Sequence, residues 1–242
     1  MEKLSVNDTR KKALIRLEEK LSHCFRDATY LETALTHRSY VNENPQSAVT
    51  DNERLEFLGD AVLELCISDL LIRNKAGFTE GSLSKIRASL VNEKPLAQLA
   101  RTLEIGEMLL LGKGEEASGG RTKDSLLANA LEAVIAAIYL DAGFIKVKNV
   151  IRKLLEPALI DEALSSRYCD YKTALQELSQ KKYKCAPQYN LIGSSGPDHA
   201  KVFAITVNVG NKIISTGCGS SKKEAEKQAA QKAWKELQNG EK

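Results

Sequence analysis

Between Leu126 and Leu140 every residue is apolar or Tyr except Asn129 and Glu132. A helix apolar around its whole circumference must be covered on all sides, so this stretch demands a helical body built around it. The two exceptions are three apart and share one helical face. No Lys, Arg or His lies within the segment to pair with Glu132. A buried carboxylate without a partner is costly, so Glu132 needs a proton, a hydrogen bond from another element, or a cation.

A second acid-bearing segment runs from Asn52 to Leu65. At about 100° per residue, Glu53, Glu56, Asp60 and Glu64 fall on one stripe. Leu55, Leu58, Val62 and Leu65 fall on the opposite face, which this reading takes as the buried one. Phe57 and Ala61 border the acids on one side, and Leu63 and Ile67 on the other. Two readings fit. In one, Glu132 is protonated and hydrogen-bonded to a neighbouring helix. In the other, Glu56, Asp60, Asn129 and Glu132 converge on one hard divalent cation. Oxygen-only donors suit Mg²⁺, with Mn²⁺ as a substitute, rather than Zn²⁺ or iron. A carboxylate di-iron centre requires Glu-x-x-His on helices. His23, His37 and His199 are the only histidines and none has that spacing, which excludes it.

With 242 residues the chain has room for one large or two modest domains. The net charge of +3 is unevenly spread. Residues 1–169 carry 23 Lys plus Arg against 25 acids, a net of −2. Residues 170–242 carry 12 Lys, no Arg and 7 acids, a net of +5, a modest pointer to a polyanionic partner. Cys24, Cys66, Cys169, Cys185 and Cys218 are odd in number and lack paired zinc spacing. Free thiols fit a reducing compartment. With no secretory core at the polar N-terminus and no long apolar run, a cytoplasmic protein without a membrane span is expected.

Residues 8–160 read as successive helices. Lys11–Phe25 forms one, and Tyr30–Leu35 continues into Thr36–Tyr40. Ser82–Leu90 and Glu93–Leu103 make two more, joined near Asn92. Gly112–Lys123 reads as a Gly-rich loop, and Pro157 as an interruption of the last helix. Residues 161–169 read as a polar linker. In residues 170–239 the period changes. Tyr171–Lys181 is helical, strands alternate after Pro187, and Gly210-Asn211 marks a hairpin. A final helix begins after Ser221, whose spacing to Glu224 is that of a capping box. The expected fold class is thus multidomain: an all-α domain, then a small α+β domain of order αβββα.

Six blocks of this sequence carry a family resemblance. Glu53-Arg54-Leu55-Glu56-Phe57-Leu58-Gly59-Asp60-Ala61 resembles the signature motif of bacterial ribonuclease III. Thr36–Tyr40, Leu83–Glu93 and Leu131–Val134 resemble its other blocks in the same order. Gly196-Pro197-Asp198-His199 and Ser221–Glu226 resemble a double-stranded-RNA-binding domain. The similarity spans nearly the whole chain.

The resemblance implies an α-helical, homodimeric endonuclease domain at residues 8–160 and a double-stranded-RNA-binding domain at residues 170–239. It implies cleavage of both strands of duplex RNA, with 5′-phosphate and 3′-hydroxyl ends, in processing of ribosomal precursors and other structured transcripts. By position, Glu56, Asp60, Asn129 and Glu132 would hold Mg²⁺, with Asp60 and Glu132 as the catalytic core. Glu53 and Glu80 would line the cleavage valley between subunits. Phe57 would be an apolar knob entering the partner subunit. The family usually has Asp where this chain has Asn129, so one carboxylate of four is missing. That departure keeps open a non-cleaving RNA-binding regulator, with a purely dimerising assembly subunit as a weaker reading.

Lys123 and Lys85 are candidate phosphate contacts. In the C-terminal domain, Lys222 and Lys223 stand in the first turn of the last helix, where the macrodipole disfavours cations by about 0.3–1 kcal/mol each. Phosphates would complete that arrangement. Thr173, Gln176, Glu177 and Gln180 on the first helix, and His199 in a loop, would meet 2′-hydroxyls in successive minor grooves.

Overall fold

The computed structural model describes residues 6–46, 49–74, 78–160, 170–197, 200–210 and 212–239. The expected linker at 161–169 and His199 lie outside them. The chain divides into two compact units, Met1–Asn74 with Ser84–Leu164, and Lys75–Leu83 with Ser165–Lys242.

The first unit is helical: α1 (Val6–Leu21), α2 (Ala28–Ala34), α3 (Arg38–Glu43), α4 (Glu53–Asn74), α5 (Glu80–Val91, whose first residues belong to the second unit), α6 (Glu93–Thr102), α7 (Ile105–Met108), α8 (Lys113–Ala117) and α9 (Asp124–Ile160). The apolar segment of α9 is its spine. Leu127, Ala128, Ala130, Leu131 and every residue from Ala133 to Ile138 are buried, while Asn129 and Glu132 are only partly so. α4, α6 and α2 pack along this spine. Gly59 sets the closest approach, since a Cβ there would stand 1.9 Å from the Glu132 carbonyl oxygen. No other residue lets the two acid-bearing helices come so near.

α9 bends at Gly143, whose φ of 78° no ordinary residue adopts cheaply. Just before the bend a buried pair fixes it in place: His23 Nε2 lies 2.9 Å from Asp141 Oδ2. Asp141 Oδ1 also accepts the N–H groups of Arg26 and Asp27 at 3.0 and 3.1 Å. The turn after α1 is thereby tied to α9. Nothing in the sequence pattern marks this pair, because its members are 118 residues apart.

Four expectations are corrected. The helix expected across Leu35–Thr36 is broken there, because Thr36 bridges to Leu110 in strand fashion. The loop expected at 112–123 is ordered into α8 and a 3₁₀ turn at Gly120–Thr122. Arg121 holds it, donating from Nη1 to the carbonyl oxygens of Gly106 and Leu109, each at 2.9 Å. Pro157 lies inside α9 without ending it. On α4 the buried face is Leu55, Gly59, Val62, Leu63, Cys66, Ile67, Leu70 and Leu71. Leu65, expected inside, is exposed, as are Phe57 and Ile72. The outward side of α4 thus mixes these apolar residues with the exposed Glu53 and Asp60.

The second unit has the expected αβββα order: α10 (Tyr171–Tyr183), β1 (Gln188–Ser195), β2 (Val202–Val209), β3 (Lys212–Gly219) and α11 (Lys222–Asn239). The strands form an antiparallel sheet in sequence order. Tyr171 and Leu175 of α10, Val207 of β2 and Ala229, Ala230 and Ala233 of α11 make its core. Trp234 closes the edge, T-shaped against Tyr171 at 5.7 Å. Ser221 caps α11 by accepting the Glu224 N–H. The reciprocal bond is shifted by one residue, because the Glu224 carboxylate takes the Ser220 N–H at 2.9 Å. Among the described residues no helix is long and apolar enough to cross a membrane.

Candidate active site and RNA-binding surface

The acids meet where α4 crosses α9. Asn52, one residue before α4, is buried and sends its N–H to Thr36 O at 2.9 Å and its side-chain amide to Ala34 O at 3.2 Å. Its own carbonyl accepts the Glu56 N–H at 2.8 Å, so the first turn of α4 is pinned to the segment before α3. Glu53, Glu56, His37, Asn52, Leu109, Leu126 and Asn129 line a cavity of ≈80 Å³. Asn129 hydrogen-bonds the Glu56 carboxylate, and Arg38 pairs with Glu53 at 3.0 Å.

Charge dominates this corner. Burial and then the neighbouring Asp60 and Glu56 push Glu132 up to about 7. Burial and Glu53 raise Glu56, partly offset by the hydrogen bond from Asn129, with Asp60 adding to the rise. The charges acting on Glu132 are all negative. Carboxylates left in that state attract a cation or a proton. The donor set is oxygen throughout, the chemistry a hard divalent ion takes.

The structure therefore brings Glu56, Asp60, Asn129 and Glu132 into one interacting patch, with three departures from expectation. Glu132 is half-buried rather than enclosed, and Asp60 is exposed. Nor do the acids form a closed coordination cage: among the described residues no three His, Cys, Asp or Glu side chains stand close enough to hold a metal ion. Glu53 sits at the rim, paired with Arg38. Glu80 is exposed at the start of α5 and belongs to the second unit. Lys123 is engaged by Glu115 and Ser118, while Lys85 is exposed. His37, Asn52 and Arg38 were not identified as site residues from sequence, because what brings them here is the Thr36–Leu110 bridge and not any local pattern.

Phe57 is 82 % exposed, which excludes an intramolecular core role. On the same unit, Tyr30, Val41, Val49, Leu55, Leu58 and Leu140 line much of a ≈640 Å³ cavity. In the second unit Gln176, Glu177 and Gln180 are exposed along α10, and Lys222 and Lys223 at the start of α11. Thr173 is less available than expected, since its hydroxyl donates to Asp170 at 2.9 Å, capping α10.

Residues 27–159 match the family model for ribonuclease-III-like domains, and residues 171–237 that for the double-stranded RNA binding motif. The chain is 48 % identical over 226 residues to ribonuclease 3 of Nitratiruptor sp., covering 93 % of this chain and 97 % of that protein. It is 45 % identical over 230 residues to ribonuclease 3 of Borreliella burgdorferi, covering 95 % and 94 %. The nuclease domain of ribonuclease III from Campylobacter jejuni, solved as a crystal structure, matches at 43 % identity and a TM-score of 0.56. That match covers 61 % of this chain and 97 % of the solved one. The chain belongs to the ribonuclease III family, whose members are endonucleases specific for double-stranded RNA and use a divalent metal.

Proposed function

We propose that this chain hydrolyses both strands of duplex RNA at the Glu56–Asp60–Asn129–Glu132 patch, where those four side chains, drawn together from their metal-free spacing, would hold Mg²⁺, or Mn²⁺ in its place. The observation that carries the reading is the placing of Glu132: half-buried where α4 meets α9, with burial and the charges of Asp60 and Glu56 pushing it up to about 7. A bound divalent ion supplies Lewis acidity, activating water and neutralising charge on the phosphate. The residues supply the rest. Asp60 and Glu132 orient the attacking water and form the catalytic core, and Glu56 completes the donor set through a carboxylate steadied by Asn129. Glu53 and Glu80 line the valley through which the strand passes. Cleavage leaves 5′-phosphate and 3′-hydroxyl ends. Structured transcripts, ribosomal precursors included, are the substrates, in a cytoplasm whose reducing conditions suit the free Cys24, Cys66, Cys185 and Cys218.

Residues 8–160 are assigned as the catalytic and dimerisation domain, 161–169 as the linker and 170–239 as the RNA-binding domain. In the last, Gln176, Glu177, Gln180, Thr173 and His199 meet minor-groove hydroxyls, and Lys222 and Lys223 meet phosphates across the major groove. Such Lys–phosphate contacts make binding fall steeply with salt.

The working unit is a homodimer in which Phe57 of each copy enters the ≈640 Å³ cavity of the other. A related nuclease-domain structure from Campylobacter jejuni is described in terms of a region involved in dimer formation. An aromatic side chain left 82 % exposed favours such burial, by about 1.5–3 kcal/mol for each Phe. Phe57→Ala is expected to shift sedimentation from dimer to monomer at micromolar concentration while leaving the helical circular-dichroism signal unchanged. A dimer of unaltered affinity would remove this assignment.

Asn129 bears on how tightly the ion is held. Asn129→Asp adds a negative charge beside Glu56 and Glu132, so half-maximal cleavage is expected at several-fold lower Mg²⁺. Duplex binding without metal should stay the same. Superimposable Mg²⁺ titrations would contradict it. A parent protein that binds duplex RNA yet never cuts, alongside an Asn129→Asp form that does, would instead mark the parent as a binding regulator.

A further inference from the structure

His37 lines the same small cavity as Glu53, Glu56 and Asn129. Its backbone is fixed from two sides. Its N–H donates to Leu110 O at 3.0 Å, and the carbonyl of the preceding Thr36 accepts the Asn52 N–H at 2.9 Å. Asn52 in turn accepts from Glu56, so His37 and the acids are held in one hydrogen-bonded frame.

The ring's tautomer follows from its neighbours. Ser39 Oγ accepts the Gly112 N–H at 2.8 Å and donates its hydroxyl proton to His37 Nδ1 at 2.8 Å, a direction fixed by the backbone N–H that Nδ1 receives. Nδ1 also accepts the Ser39 N–H at 3.2 Å, capping α3. A nitrogen that accepts twice carries no proton, so the proton of the neutral ring is on Nε2. Among the described residues Nε2 has no hydrogen-bond partner. A cavity lined by Glu53 and Glu56, acids that would by themselves repel RNA, is thus also lined by a residue with an unspent imidazole N–H.

We propose that His37 is a substrate-contacting residue, whose Nε2–H donates to a non-bridging phosphate oxygen of the RNA strand entering the acidic patch. This rests on the endonuclease reading above. The bland account, in which His37 serves only as the α3 cap, uses Nδ1 and leaves Nε2 without a purpose. The two nitrogens can be separated by substitution. His37→Asn keeps an acceptor near the Nδ1 position and removes the distal donor. His37→Gln places an amide N–H near the Nε2 position.

The experiment uses the full-length protein with a short duplex RNA in Mg²⁺, read as single-turnover cleavage rate, with melting temperature measured alongside. His37→Asn is expected to slow cleavage about 10- to 100-fold, the loss of one charge-assisted hydrogen bond, with an unchanged melting temperature. His37→Gln is expected to recover most of that loss. Cleavage by His37→Asn at the parental rate would overturn the proposal. So would equal losses in both variants, which show that the distal donor is not what matters, or a loss matched by a fall in melting temperature, which marks a structural role. Failure of the endonuclease reading looks different, because the parent itself would then leave the duplex intact.

Discussion

Glu132→Gln is expected to reduce duplex-RNA cleavage roughly a thousandfold or more, about 4 kcal/mol of barrier, while binding of the same duplex without divalent metal stays within about twofold. The substitution keeps the shape of the side chain and removes one charge from a patch whose other members are Glu56 and Asp60. A neutral amide both weakens cation binding and fails to hold the attacking water. The same variant has a stability signature of predictable sign. Glu132 titrates near 7 in the fold, above its ordinary value of 4.5. Its stabilising contribution is therefore complete below the unfolded value and is lost as pH rises through 7. Gln mimics the protonated form at every pH. Without metal, the variant should melt at the parental temperature near pH 4 and above it at pH 8, with the gap opening between. A variant that melts below the parent at pH 8 would mean the carboxylate is stabilised by something other than a missing cation.

Gly59→Ala is expected to be the most damaging single-methyl change in the helical unit. The added Cβ would lie 1.9 Å from the Glu132 carbonyl oxygen and 2.4 Å from its carbonyl carbon, both backbone atoms of the buried spine. No side chain can rotate away to relieve that contact, so α4 and α9 must separate. Overpacking of this kind costs typically 1–3 kcal/mol, and backbone against backbone belongs at or beyond the upper end of that range. Asp60 follows Gly59 directly, so the same separation would pull the acids apart. We expect a melting temperature lower by many degrees and cleavage lost even at temperatures where the variant is folded. Wild-type melting would show that the helices slide freely and that Gly59 does not set their spacing.

Much of the site was legible before the fold was known, for a physical reason. Between Leu127 and Ile138 the two polar residues are the two that escape full burial, because only one strip of that helix faces the α4 acids. Sequence periodicity captures such local facts. It failed on α4 at Leu65, which was placed on the buried side and faces outward. A helical wheel cannot distinguish an apolar face that meets its own core from one that remains exposed on the single chain. The Gly-rich 112–123 segment looked unstructured, because its order comes from Arg121 reaching carbonyls 12 to 15 residues earlier. His37 entered through long-range backbone pairing, which leaves no trace in spacing. In the second unit the αβββα order was readable throughout, since turns, periods and caps there are all local.

The account stands on oxygen donors of α4 and α9 gathering around one divalent ion. Anomalous scattering from crystals of the full-length protein soaked in Mn²⁺ tests this directly. A single strong peak per active patch is predicted, coordinated by Glu56, Asp60, Asn129 and Glu132 and absent from Glu132→Gln crystals grown alike. Mn²⁺ bound elsewhere, or a peak unchanged by the Gln substitution, would contradict it.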